Sequence, residues 1–203
     1  MHRHGYGALI TSIRAHDYSE GQVITFGMYE VQDMEAWYKY LLIRSDIGPS
    51  KIGIIGNSFG GMLAIQFAAQ NKNIKAVVAN SAFSSLNDTI ATSVQHFTGL
   101  PEFPFVPLIA FWAERETGFK KEDIDATKWI AEISPRPVFL MQGGADTAIS
   151  TSSGQRLYDA AGQPKELWFD PALGHVEFDT ERAAEYETRV AAFFDKYLLN
   201  VSP

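Results

Sequence analysis

The segment KIGIIGNSFGGMLAIQFAAQ, residues 51–70, constrains the fold more than any other part of the chain. The apolar run KIGIIG gives way to a serine among small residues, and GGMLAIQFAAQ then places Ala64, Ile65 and Ala68 on one helical stripe. This pattern predicts a buried strand, a sharp turn at Ser58 and a helix that starts directly after the turn. A serine in such a turn has a strained backbone conformation, which a fold retains only where the surrounding structure enforces it.

Strands and helices alternate along the remainder of the chain. Short apolar runs predict strands at 7–13, 74–80, 136–144 and 165–170. Apolar residues at helical spacing predict helices at 30–44, 152–162 and about 180–199. No internal repeat or low-complexity linker divides the 203 residues, so a single domain is expected over 1–203. Alternation of this kind indicates an α/β fold with a mostly parallel sheet.

Composition and charge narrow the functional classes. The chain is 46% hydrophobic and 20% charged, as in ordinary globular proteins, and its net charge of −7 argues against binding to nucleic acid. No apolar stretch approaches the roughly 20 residues that cross a bilayer, so no membrane association is expected. The N-terminus lacks the apolar core of a signal peptide. Because the chain has no cysteine, disulfides and thiolate chemistry are excluded, and a cytoplasmic location is expected.

The turn itself, Gly56-Asn57-Ser58-Phe59-Gly60, has the Gly-x-Ser-x-Gly spacing of a nucleophile elbow. Between a strand and a helix, this turn raises the serine hydroxyl above the carboxyl edge of the sheet. Gly56 and Gly60 are expected because tight packing leaves no room for side chains two residues on either side of the serine. The following helix directs its N-terminal amides at the reacting centre, and the Phe59 amide is the predicted oxyanion donor.

An acid and a histidine follow the serine in the order that this chemistry requires. The strand PVFLMQ leads into GGADTAIS, which places Asp146 just past the carboxyl end of a strand, where α/β sheets collect their chemistry. ELWFDPALGHVEF places His175 in a loop before the last helix. We therefore predict a catalytic triad of Ser58, Asp146 and His175, with His175 as the base and Asp146 orienting the imidazole. This chemistry requires neither a metal nor an organic cofactor.

Other titratable residues have simpler interpretations. His16 is expected to brace its loop, and His96 to lie on the surface or at the rim of a substrate pocket. The alternative acids are Asp123, Asp125, Asp170 and Asp179, of which Asp170 is the best candidate.

These stretches together resemble the α/β-hydrolase superfamily, and within it the bacterial serine hydrolases related to dienelactone-hydrolase-like and prolyl-oligopeptidase-like esterases. GYGALITSIRAHDYSEG resembles the family strand and loop GY-x-V-L-x-x-D-x-R-G-H-G-x-S, with Arg14 and His16 on the motif's Arg and His. GMYEVQDMEAWYKYL is similar to the helix before the elbow, and GGADTAIS to the segment that carries the acid. The departures from the family pattern, none of which removes a triad member, are Ser12, Ala15, Asp17 and Asn57.

The resemblance implies an α/β-hydrolase fold with helices on both faces of the sheet. It also implies a small helical cap inserted at 83–130, where the apolar stretch FPFVPLIAFW is broken by prolines. Three aromatic residues of this cap are expected to line an acyl pocket: Phe105, Phe111 and Trp112. The alternative is that the stretch belongs to the core.

The family's first three strands have no counterpart here, and the chain is expected to start at the fourth strand, residues 7–13. HRHGYG does not replace the family's His-Gly oxyanion loop, because its register relative to Arg14 matches the fourth-strand motif instead. The second oxyanion donor is therefore not identified. Loss of the intervening third strand would leave sheet edges unpaired. The alternatives are that the fourth strand pairs elsewhere, that a partner chain fills the position of the third strand, or that the sequence is a fragment. Of these, we expect a homo-oligomer that forms through the exposed sheet edges.

The predicted function is that of a carboxylesterase-type serine hydrolase. It would cleave small-molecule carboxylic esters of small to medium acyl chain through an acyl-enzyme on Ser58. A peptidase or thioesterase with the same triad is the alternative, for which the sequence offers no positive evidence. A weakly active or non-catalytic remnant is a third interpretation, because the oxyanion loop is missing.

Overall fold

The computed structural model describes residues 1–199, in which four strands form a parallel sheet. The strands are β1 (Ile54–Asn57), β2 (Val77–Asn80), β3 (Val138–Gly143) and β4 (Lys165–Asp170). Their order in the sheet, β1-β2-β3-β4, is their order along the chain, and all three neighbouring pairs are parallel. Parallel neighbours need a crossover connection, and helices provide it between each pair. The predicted α/β architecture with a mostly parallel sheet is confirmed.

Helices precede, connect and follow the strands. They are α1 (Glu30–Leu42), α2 (Phe59–Gln70), α3 (Leu86–Thr98), α4 (Glu102–Thr117), α5 (Ala126–Ala131), α6 (Ser153–Ala160), α7 (Phe178–Glu181) and α8 (Ala183–Phe194), with a π-helical turn at Asp195–Leu199. The helix predicted at about 180–199 is divided at Arg182, whose φ of −128° and ψ of 32° are not helical. None of the helices in residues 1–199 has the length and apolar composition of a membrane span.

The two faces of the sheet contribute to two different cores, because side chains alternate along a strand. Val77 and Ala79 of β2 lie in the core that contains the apolar side of α2. Ala76 and Val78 lie in the second core, together with Phe193 of α8. Helices therefore cover both faces of the sheet. β3 is buried along its whole length, as expected for an interior strand of a parallel sheet.

Residues 7–13, predicted as a strand, are neither strand nor helix in the structure, so that prediction is wrong. A strand needs a neighbour for its backbone hydrogen bonds, and no strand of the described chain lies beyond β1 to provide them. Ile10 is 93% exposed, and only Ile13 of the segment packs against the core around α2. The outer edge of β1 is consequently unpaired within residues 1–199, and its Ile55 is 40% exposed.

The region 83–130, predicted as a cap, contains α3, α4 and α5. α4 bends at Phe103, whose φ of −101° and ψ of 134° are extended rather than helical. α5 packs in the main core, where its Ile130 is fully buried. Leu86 at the start of α3 belongs to the same core, whereas α4 contributes no residue to it within residues 1–199. The role of the region as a lid stays a prediction.

Candidate active site

Ser58 occupies the turn between β1 and α2. Its φ of 54° and ψ of −120° lie outside the regions that non-glycine residues usually adopt. The Ser58 amide donates to the Asn80 carbonyl oxygen at 2.8 Å, and the Ser58 carbonyl oxygen accepts from the Met62 amide at 3.1 Å. The first bond joins the turn to the end of β2, and the second starts α2. The surrounding structure thereby enforces the strained conformation expected of this serine.

Two glycines flank the serine, but only one of them is required by packing. A β-carbon on Gly56 would lie 2.1 Å from the Gly60 carbonyl oxygen and 2.7 Å from the Gly61 nitrogen, which are backbone atoms. A β-carbon on Gly60 would meet nothing within 4 Å. The expectation that packing excludes a side chain at Gly60 is therefore wrong, because that position faces open space on the first turn of α2.

His175 is hydrogen-bonded to both of the other residues predicted for the triad. Its Nε2 lies 2.8 Å from Ser58 Oγ, and its Nδ1 lies 2.8 Å from Asp146 Oδ2. The imidazole is 20% exposed, whereas the Asp146 side chain is fully buried. The structure thus brings Ser58, His175 and Asp146 into one series of hydrogen bonds at the carboxyl edge of the sheet. With Asp146 as acceptor, Nδ1 carries the proton and Nε2 is free to accept from the hydroxyl.

Asp146 lies in the loop after β3 and is held by backbone amides as well as by the imidazole. Its Oδ1 accepts from the amides of Ala148 and Ile149, each at 2.9 Å. Burial by itself raises the pKa of this carboxyl, but the hydrogen bonds from His175 and from the two amides outweigh burial and hold the pKa below its ordinary value. Asp146 is therefore ionised at neutral pH and is able to stabilise a positively charged imidazole.

The loop that carries His175 lies close over the end of β3. A β-carbon on Gly143 would lie 2.3 Å from the Leu173 carbonyl oxygen, so the absence of a side chain permits this approach. The Ala145 amide donates to the same oxygen at 2.8 Å. The loop before His175 is thereby joined directly to the loop that carries Asp146, which helps to fix the distance between the two side chains.

Ser81 also contacts the loop that carries the histidine. This residue is fully buried directly after β2 and has a φ of 50°. Its Oγ accepts from the Val176 amide at 3.1 Å, next to His175. Val176 has a φ of 58°, which is strongly disfavoured for a β-branched residue. Ser81 therefore holds a strained backbone beside the imidazole, and no sequence pattern distinguishes it from an ordinary buried serine.

The Phe59 amide is the first of α2 and has no protein acceptor among residues 1–199. It is therefore available to a ligand beside Ser58. The Phe59 ring packs edge to face against Phe26 at 5.5 Å and lies 6.4 Å from the His16 ring. His16, which was expected to brace its loop, has Nδ1 at 3.1 Å from the Arg14 carbonyl oxygen.

Glu30 holds the loop that places Phe26 against Phe59. Its carboxylate is fully buried and accepts from the Thr25 amide, the Thr25 hydroxyl and the Gly27 amide, each at 2.7 Å. Three donors satisfy this carboxylate at the start of α1. The Glu30 carboxylate thus anchors the loop beside the predicted oxyanion donor.

None of the four alternative acids is hydrogen-bonded to His175 in the described part of the chain. Asp170 pairs with Arg182 at 3.1 Å. The others lie at helix starts or in turns: Asp123 accepts from the Lys120 amide, Asp125 accepts from the Thr127 amide, and Asp179 lies in the first turn of α7. His96 is exposed, and its Nδ1 lies 2.9 Å from Thr147 Oγ1, which places it beside the loop of Asp146.

The aromatic residues predicted to line an acyl pocket lie on α4. Phe111 and Trp112 pack edge to face at 5.5 Å and are 58% and 63% exposed, and Phe105 is half-buried. Their contact with an acyl chain stays a prediction.

The groove of known volume in the described part of the chain lies away from the triad. A groove of about 680 Å³ lies between α1 and the end of α2, is lined by residues such as Glu35 and Gln70, and contains no triad residue. Within residues 1–199, no group of three or more His, Asp or Glu side chains is arranged to hold a metal ion. The site is therefore identified by the hydrogen bonds among Ser58, His175 and Asp146.

Comparison with known sequences gives a family and several distant relatives. A sequence model of the prolyl oligopeptidase family matches residues 16–201. The protein YqkD of Bacillus subtilis is 26% identical over 193 residues, which are 94% of this chain and 63% of YqkD. The protein YfhR of Escherichia coli K12 is 28% identical over 141 residues, which are 68% of this chain and 43% of YfhR. This chain therefore spans less than two thirds of the length of these relatives.

Comparison with solved structures identifies the fold. The esterase Pf2001 of Pyrococcus furiosus superposes with a TM-score of 0.77 and 28% identity, and the match covers 97% of this chain and 72% of that one. Acetyl xylan esterase 1 from Thermoanaerobacterium superposes with a TM-score of 0.59 and 20% identity, covering 81% of this chain and 51% of that one, which shows the fold alone. These likenesses confirm the α/β-hydrolase fold implied by the sequence.

Proposed function

Because the chain belongs to the prolyl oligopeptidase family, we propose that it is a serine hydrolase that cleaves carboxylic esters of small to medium acyl chain. The observation that carries the proposal is the pair of 2.8 Å contacts that link the Ser58 hydroxyl through His175 to Asp146. Likeness to the esterase Pf2001 supports an ester substrate. In this proposal, Ser58, His175 and Asp146 form the catalytic triad.

Acylation begins with Ser58 Oγ attacking the ester carbonyl carbon while its proton moves to His175 Nε2. Asp146 remains ionised and stabilises the imidazolium that results. The Phe59 amide donates to the developing oxyanion, as the first amide after the nucleophile does in an elbow. The tetrahedral intermediate then collapses, the C–O bond to the alcohol breaks, and the alcohol oxygen takes the proton from Nε2.

Water then hydrolyses the acyl-enzyme. In this second half of the reaction, the water oxygen is the nucleophile and Ser58 Oγ is the leaving group. His175 Nε2 accepts a proton from water as the water oxygen attacks the acyl carbon. Collapse releases the carboxylic acid, and Ser58 Oγ recovers its proton from the imidazolium. The proton that Ser58 loses thus leaves with the alcohol, and water supplies the proton that Ser58 regains, with His175 Nε2 carrying each proton in turn.

A peptidase activity is the second candidate, because the matched family is described by its oligopeptidases. The same triad would serve, with an amine in place of the alcohol as the leaving group. An inert or weakly active chain is the third, motivated by the second oxyanion donor that the sequence does not identify. Loss of one such donor typically lowers kcat by about 10²–10³.

The proposal is tested with p-nitrophenyl esters from acetate to octanoate, alongside a prolyl p-nitroanilide peptide. We expect turnover of the shorter esters, little turnover of the peptide, and a loss of about 10⁴-fold or more in Ser58→Ala. Ser153→Ala, which removes an equally small hydroxyl from a buried serine of α6, serves as the matched control and should retain activity.

A fluorophosphonate probe separates the catalytic interpretations from the inert one. The wild-type chain should be labelled, and Ser58→Ala and His175→Ala should not. Wild-type protein that folds but neither takes the label nor turns over any ester would refute the proposal. Faster turnover of the peptide than of the esters would favour the peptidase instead.

A further inference from the structure

α3, the first helix of the region 83–130, is hydrogen-bonded to the loop that carries Asp146. Ser93 Oγ donates to the Ala148 carbonyl oxygen at 2.8 Å. Residues three and four positions away on the same face of α3 make the neighbouring contacts, namely Thr89 Oγ1 with the Ser150 amide at 3.3 Å and His96 Nδ1 with Thr147 Oγ1 at 2.9 Å.

The Ser93 bond ends on a peptide group that also contacts Asp146. The Ala148 carbonyl and the Ile149 N–H belong to the same peptide group, whose oxygen accepts from Ser93 and whose N–H donates to Asp146 Oδ1 at 2.9 Å. A hydrogen bond at one end of a peptide group polarises it and strengthens the bond at the other end. A continuous series of hydrogen bonds therefore runs from α3 through one peptide group to the carboxylate and on to His175.

We propose that Ser93 is a positioning residue for the triad, acting through the Ala148–Ile149 peptide group on Asp146. This inference rests on the proposed function of the triad. Ser93 of α3 holds the carbonyl end of the peptide group, and the Asp146 carboxylate holds its N–H end. Both hydrogen bonds are therefore needed to fix the orientation of the peptide group. Without the Ser93 hydroxyl, the peptide group loses its anchor on α3, and the carboxylate holds the imidazole less firmly.

The first test measures ester hydrolysis by Ser93→Ala. Because Ser93 is half-buried and one ordinary hydrogen bond is lost, we expect kcat to fall about five-fold with KM unchanged. Thr92→Ala is the matched control, since it removes a hydroxyl from the adjacent position of α3 for which the structure gives no hydrogen bond. Ser93→Thr keeps the hydroxyl and should retain most of the activity. Equal kcat values for Ser93→Ala and Thr92→Ala would overturn the proposal.

A double-mutant comparison separates positioning from general stability. In an Asp146→Ala background the series of hydrogen bonds is already interrupted, so adding Ser93→Ala should not lower the rate of fluorophosphonate labelling further. A five-fold further loss in that background would show that Ser93 acts elsewhere and would overturn the proposal. If Ser93→Ala does not fold, the test compares Ser93→Thr with Ser93→Val. These two variants are nearly equal in volume and differ in the hydroxyl. Equal kcat values for the two would refute the inference.

Proton NMR gives a reading that does not depend on any ester. The Nδ1 proton between His175 and Asp146 should give a low-field resonance, assigned by its loss in His175→Ala. Ser93→Ala should shift or broaden this resonance and Thr92→Ala should not. An unchanged resonance in Ser93→Ala contradicts the positioning role, whereas the absence of ester turnover in wild-type protein contradicts the proposed function alone.

Discussion

Replacement of Gly56 by alanine tests the geometry of the nucleophile elbow. The added β-carbon would lie 2.1 Å from the Gly60 carbonyl oxygen and 2.3 Å from its carbonyl carbon, whereas ordinary contact begins at 3.4 Å. The obstructing atoms belong to the backbone of α2, so no side-chain rotation relieves the clash. Either β1 or the first turn of α2 must move by roughly 1 Å, the size of displacement that costs about 10²-fold in rate when it misplaces reacting groups.

The displaced turn carries both Ser58 and the Phe59 amide, so chemistry should suffer more than binding. We expect kcat for a short p-nitrophenyl ester to fall about 10²-fold or more in Gly56→Ala. Overpacking of this kind typically costs about 1–3 kcal/mol of stability. For a chain of this size that corresponds to a decrease in Tm of about 2–4 °C for each kcal/mol.

Gly60→Ala is the matched control, because its β-carbon would meet nothing within 4 Å. Alanine in the first turn of α2 should leave kcat within a few-fold of wild type and change stability by less than about 1 kcal/mol, with a gain expected. Thermal unfolding followed by circular dichroism and initial rates on the same preparations give both readings. If Gly56→Ala keeps wild-type kcat, or if the two variants lose activity equally, the packing explanation of the elbow is refuted.

Three further predictions concern Ser81, the Asp146 carboxyl and the outer edge of β1. Ser81→Ala should lower kcat about five-fold through the lost Val176 bond, and this loss should vanish in a His175→Ala background when fluorophosphonate labelling is measured. Because folding lowers the pKa of Asp146, the ionised carboxylate stabilises the folded chain at pH values above the pKa of the unfolded state, about 3.9. Below about pH 5, the difference in unfolding free energy between wild type and Asp146→Asn should therefore shrink as the pH falls, and a difference that grows on acidification in that range would contradict it. If the unpaired edge of β1 forms a homo-oligomer, light scattering should show wild type above the monomer mass and Ile55→Lys at the monomer mass; a monomeric wild type at micromolar concentration refutes this expectation.

Much of the site was predictable because its signals are local. Strand, turn and helix around Ser58 lie within one stretch of sequence, and the chemistry of a parallel sheet collects where its strands end. Asp146 follows such a strand end directly, and His175 comes after the next strand in the order that the triad requires. The prediction of these three residues therefore needed only the pattern of elements and the rule that parallel strands point the same way.

Other features were decided by contacts between parts of the chain that are far apart in sequence. Residues 7–13 have the composition of a strand, but a strand exists only where a neighbour accepts its hydrogen bonds, and that neighbour is not encoded locally. Gly56 and Gly60 look equivalent in the motif, yet the backbone of α2 crowds one and leaves the other open. A sequence motif gives the spacing of residues along the chain. The room for a side chain at each glycine depends instead on which atoms lie near it in the folded structure.

The sequence by itself determined an α/β chain with a serine at a sharp turn and with an acid and a histidine placed to join it. The tertiary structure alone decided which other hydroxyls contact the loops of that arrangement. No sequence pattern distinguishes Ser81 and Ser93, and their contacts arise because β2 ends beside the loop that carries His175 and α3 lies against the loop that carries Asp146. Hydrogen bonds between separate loops depend on how elements pack, and packing is settled only when the whole chain has folded.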